Sequence, residues 1–109
     1  MSLIYYEENT NMKRKLAKDR RDEVMGAALQ LSIMHGYTKV TRDMVAKAVG
    51  LTPQAIQHHI GTMENLRRDV MRKAVQDECL AVIAQGMANK DKHAMRADDG
   101  LKAQARAAL

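Results

Sequence analysis

Thr52, Gln54, Gln57, His58 and His59, in the stretch "GLTPQAIQHHI", place donors and acceptors where a merely solvated helix would carry Glu and Lys. A glutamine amide offers a donor and an acceptor side by side, which matches the N6 and N7 edge of adenine in the DNA major groove. The chemistry implied is recognition, not bond-making. No Ser-His-Asp set lies in compact spacing, nothing in "DECLAV" activates Cys79, and most carboxylates sit among basic residues, so no enzyme activity is expected. His58 and His59 are adjacent, which turns them about 100° apart on a helix, and no third ligand stands at metal spacing. No metal and no cofactor are therefore expected. The same pair would make affinity for an anion depend on pH, because a charged imidazole attracts phosphate more than a neutral one.

These side chains need elements to hold them. From Met12 the chain places Val24, Ala27, Ala28, Leu31 and Met34 at helical spacing before Gly36 offers a left-handed stop. Thr41 then caps a short second helix with Val45, Ala46 and Val49 on its apolar face, and Gly50 ends it. Thr52 caps a third, with Pro53 at the first helical position, where its missing N–H costs nothing. Ile56 and Ile60 point one way, while Gln54, Gln57 and His58 point elsewhere. A helix-turn-helix needs a small residue where its helices cross, a residue tolerating positive φ in the turn and apolar inner faces; Ala46, Gly50, and Val45, Val49, Leu51, Ile56 and Ile60 fill these roles. Any three-helix bundle has capped helices and glycine turns too, so spacing alone leaves that reading open.

Gly61 and Thr62 repeat the stop-and-cap signal, and the pattern predicts one long fourth helix over residues 63–87. Its apolar positions form two stripes. Leu66, Val70 and Ala74 complete the core; Met71, Val75, Cys79 and Val82 are left uncovered and imply a homodimer interface. Residues 1–12 lack a sustained period and are expected as a flexible arm, residues 13–62 as the helix-turn-helix core, residues 63–88 as core completion and dimerisation. The segment 89–109 has few large apolar residues and predicts a helical or mobile tail. With no strand pattern, the fold class is all-α.

Composition sets the outer bounds. In 109 residues, 18 Lys and Arg face 13 Asp and Glu, a net charge of +5 that favours an anionic partner. Basic residues gather at Lys13, Arg14, Lys15, Lys18, Arg20 and Arg21, an arm suited to phosphates, and again at Arg67, Arg68, Arg72 and Lys73, read as solvated surface. The single cysteine excludes an intramolecular disulfide and fits a reducing cytoplasm. No apolar run approaches a membrane span, so no membrane association is expected.

Taken together, "AALQLSIMHGY" and "VTRDMVAKAVGLTPQAIQHHIGTMENL" resemble the N-terminal DNA-binding domain of the tetracycline-repressor (TetR) family over residues 20–70. Gly36-Tyr37, Thr41, Val45-Ala46, Gly50-Leu51-Thr52, Ile56, Ile60, Glu64 and Leu66 sit at that family's spacing with no insertion. The resemblance implies that Arg42, Thr52, Pro53, Gln54, Ala55 and His58 contact bases or nearby sugars, and that Thr41, Gln57, His59 and Met63 lie near phosphates. Two positions depart from the family, which often has Tyr at Gln57 and Lys at Met63; a Met cannot make the charge-assisted contact. Family repressors also carry a longer ligand-binding domain. The segment after Leu66 is too short to enclose a pocket of several hundred cubic ångströms without another chain, so no small-molecule ligand is expected.

The expectation is a sequence-specific, homodimeric regulator of transcription that binds double-stranded DNA, a TetR-like repressor without the sensor, of a size that suits phages and plasmids. The competing expectation is a small antirepressor or adaptor that binds another protein through the apolar stripe of the fourth helix.

Overall fold

Three threonines open three helices. The Oγ1 atoms of Thr41, Thr52 and Thr62 accept from the backbone N–H of Met44 at 3.2 Å, Ala55 at 3.2 Å and Asn65 at 3.1 Å, each satisfying a donor that a helix start leaves without a partner. The computed structural model describes the backbone of residues 2–108 and the side chains of residues 18–108. Among the described residues it is all-helical: α1 (Ser2–His35), α2 (Arg42–Val49), α3 (Pro53–Ile60), α4 (Met63–Gln76), α5 (Leu80–Ala88), α6 (Lys92–Met95) and α7 (Asp99–Ala107).

The first helix differs from expectation at both ends. No Gly or Pro interrupts residues 2–25, and the backbone is helical from Ser2, so the segment expected as an arm continues α1. At the other end the buried row is Val24, Ala28 and Ser32, with Leu29 beside it, whereas Met34 is 70% exposed. Ser32 fits inside because its hydroxyl donates to Ala28 O at 2.7 Å. Gly36 ends the helix at φ 95°, and Gly50, at φ 70°, ends α2 so that Leu51 N–H reaches Ala46 O at 3.0 Å.

The predicted long fourth helix is two helices. It stops at Asp77, and Glu78 adopts φ 55°, a left-handed conformation that costs a non-glycine residue about 1–2 kcal/mol. Neither Gly nor Pro marks this break. What offsets the strain is burial: α5 folds back on α4, and Val82 and Ile83 join Met71 and Ala74, all at 0% exposure, in one core with Val24, Val45, Ile56 and Leu66. Two members of the expected dimer stripe, Met71 and Val82, therefore lie inside the chain's own core, while Val75 and Cys79 are half-buried against it.

The tail packs through small residues. Asp91 caps α6 by accepting from His93 N at 2.9 Å and Ala94 N at 3.3 Å, and Asp98 caps α7 through Gly100 N at 3.0 Å. Ala94 and Ala105 are fully buried. A Cβ on Gly86 would stand 2.5 Å from Met71 Cε and 2.7 Å from Ala94 Cβ, so only glycine permits α4, α5 and α6 to meet there. The scarcity of large apolar residues, which left a helical or a mobile tail open, is what allows this approach.

Candidate nucleic-acid interface

The α2–α3 connection is short because both ends are closed locally: Gly50 stops one helix and Thr52 starts the next. The two helices pack on each other and both rest on α1. Ile56, 1% exposed, anchors α3 to the core, and that fixes which residues face out. Thr52, Gln54, Gln57 and His58 are exposed; Pro53 and Ala55 are half-buried. Among the described residues, the side chains of Gln54, Gln57 and His58 make no hydrogen bond within the chain, so their donors and acceptors are free for a ligand. Thr41 and Thr52 use an oxygen lone pair for capping, and each hydroxyl keeps its proton to donate outward.

Arg42 begins α2 beside this row. It is half-buried, and its Nε has no partner in the chain. A guanidinium with a spare donor at a helix start suits a phosphate or a base edge.

His59 leaves the outward row. Expected near phosphates with Gln57, it is half-buried and turns into a cleft of about 450 Å³ lined by Arg21 and Asp22 of α1 and by Asp69, Arg72 and Lys73 of α4. The reason is helical geometry, since one residue past His58 rotates the side chain about 100° toward the core. The two imidazole rings stay in contact edge-on, 5.7 Å apart. Met63, at the position where the resembled family has Lys, is half-buried and packs against the core. Lys13, Arg14 and Lys15 lie outside the described side chains, while Lys18, Arg20 and Arg21 are exposed. The basic group on α4 is divided: Lys73 pairs with Asp77 at 3.0 Å and Arg68 with Asp69 at 3.3 Å.

Sequence reasoning missed the clamp that holds α2 in place. Gln85 of α5 uses both ends of its amide: Nε2 donates to Ser32 O and Oε1 accepts from Tyr37 N, each at 2.9 Å. Asn89 Nδ2 donates to Tyr37 Oη at 2.9 Å. Burial, with the Asp91 carboxylate adding to it, pushes the Tyr37 phenol above its ordinary pKa against the opposing effect of the Asn89 bond. The α1–α2 turn is thus tied to the C-terminal half. Only the polar character of Gln85 within "LAVIAQGMA", the most apolar helix, hinted at it.

Among the described residues no helix is long and apolar enough to cross a membrane. Comparison of the chain with known protein families, curated proteins and solved structures finds no match.

Proposed function

We propose that this chain is a sequence-specific double-stranded-DNA-binding regulator of transcription that inserts α3 into the major groove as a helix-turn-helix reader. The observation that carries this reading is the outward row of Gln54, Gln57 and His58, exposed and unbonded on a helix whose other side is fixed in the core. Gln54, in the first turn, is the residue we assign to a base, with Arg42 at the start of α2 beside it. Thr41, Thr52 and Gln57 serve the backbone. A repressor would act by occluding a promoter.

A homodimer remains part of the proposal, with half-sites about one helical turn apart. Met71 and Val82, buried within the chain, are not assigned to its interface. That burial also leaves the adaptor reading with only the half-buried Val75 and Cys79 of its stripe.

Selection from a random duplex library tests the proposal. The expected result is a palindrome whose affinity falls about 5- to 150-fold in Gln54→Ala, the cost of one base contact. Met63→Lys should tighten binding and steepen its salt dependence. If no sequence is enriched and weak binding vanishes by physiological salt, the reading is wrong.

A further inference from the structure

A second cleft, of about 530 Å³, opens where the two halves of the chain meet. The α1–α2 turn contributes Tyr37 and Thr38, α4 contributes Glu64, Arg67 and Arg68, the α5–α6 connection contributes Asn89 and Asp91, and the start of α6 contributes Lys92 and His93. Cationic groups therefore approach from two walls, Arg67 and Arg68 on one and Lys92 on the other, with His93 next to Lys92. Against them stand two carboxylates, and one is engaged: Asp91 Oδ1 caps α6 through His93 N and Ala94 N.

Two atoms of these lining side chains have no satisfaction in the protein. Arg67 Nε and His93 Nε2 are both buried and neither has a hydrogen-bond partner. A buried polar group left unpaired costs about 1–3 kcal/mol, and a ligand that drew these two side chains toward the cleft would relieve both. Among the described residues Arg67 and Lys92 also lack a carboxylate within ion-pair distance; the four pairs found involve other residues. The cleft around His59 differs in this respect. It is similarly charged and each cleft has one paired cation, Lys73 with Asp77 there and Arg68 with Asp69 here, but its lining side chains include no buried nitrogen without a partner.

Two guanidinium groups, an ammonium and an imidazole among the residues lining one cleft match a tetrahedral oxyanion, whose several oxygens accept from converging directions. We propose that the cleft between α4, the α1–α2 turn and the α5–α6 connection binds a phosphate group, held by Arg67, Arg68, Lys92 and His93. The volume exceeds that of a bare phosphate, and Tyr37, Thr38 and Asn89 leave room and hydrogen-bonding capacity for the rest of a small phosphate ester. The same chemistry would also accept a phosphate of a nucleic-acid backbone. The site stands apart from the DNA reading, since binding is measured without a duplex.

The test is a titration of the isotope-labelled full chain with inorganic phosphate, followed by amide chemical shifts, against sodium chloride at matched ionic strength. Saturable shifts at Thr38, Arg67, Asn89 and His93 that chloride does not reproduce are expected. Arg67→Gln combined with His93→Gln should weaken phosphate at least about tenfold, while Arg72→Gln, in the other cleft, should leave it within about twofold. Arg67→Lys, which keeps the charge and loses the fork, should give an intermediate affinity and guards against loss of folding in the double variant. Equal shifts with chloride, or unchanged affinity in Arg67→Lys and the double variant, would overturn the site. Addition of a selected duplex then identifies the source: phosphate displaced from the cleft assigns it to the DNA backbone, and phosphate retained beside bound duplex assigns it to a free phosphate ester.

Discussion

Gln54 and Gln85 carry the same amide and are employed in opposite ways. Gln85 bridges Ser32 O and Tyr37 N across 53 and 48 residues of chain. Gln54 stands exposed on α3, and within the described residues its side chain makes no hydrogen bond. The difference separates two uses of polarity: an amide with both ends satisfied internally holds the fold, and an amide exposed on an anchored helix without a partner in the chain is available to a ligand. The two halves of the molecule follow the same division. The segment from α1 to α3 presents an outward polar row, and the segment from α4 to α7 closes on itself and ties down the turn before α2.

The comparison breaks if the C-terminal half is open instead of closed. Val82→Asp gives the largest effect expected: a carboxylate at a fully buried position abolishes the cooperative thermal transition. A chain that instead exposed Val82 at a dimer surface would remain folded and become monomeric by light scattering. Gln85→Ala comes next. It leaves Tyr37 N and Ser32 O without their partner and should cost about 1–3 kcal/mol in a denaturant titration, whereas Gln57→Ala on the outward row should stay within about 0.5 kcal/mol.

Glu78→Gly sharpens the point because its sign is diagnostic. With Glu78 at φ 55° between α4 and α5, glycine relieves strain and should stabilise by about 1 kcal/mol. In one continuous helix the same change would destabilise by a similar amount. The smallest effect concerns Tyr37. Burial holds its folded pKa above the ordinary value of 10.0, so the stabilisation it contributes is complete below that pH and is lost as pH rises through the folded value. Unfolding free energy should therefore fall at alkaline pH in the parent chain and fall less in Tyr37→Phe.

Much of the N-terminal half was legible because its signals are local. A threonine cap, a left-handed glycine and an i, i+4 isoleucine pair act within one or two turns, and Thr41, Gly50, Thr52 and Thr62 do in the fold what their spacing announced. The outward position of Gln54, Gln57 and His58 followed from Ile56 on the opposite side. Met34 is exposed against its spacing, and His59 is half-buried beside the outward row, for the complementary reason: a position near the edge of a helical face goes in or out according to which neighbour packs there.

What the sequence by itself determined, then, is the all-helical class, the three threonine-capped starts and the polar row on α3, since each depends on residues a few positions apart. The tertiary structure alone decided where the predicted fourth helix breaks, that Met71 and Val82 face inward, and that Gly86, Ala94 and Ala105 make a packed tail. No local signal interrupts the chain at Glu78. The burial of Val82 and Ile83 against Met71 and Ala74, in a core shared with Val24, Val45 and Ile56, selects a strained turn over a longer helix, and a core assembled from elements so distant in sequence cannot be read from the spacing around the turn.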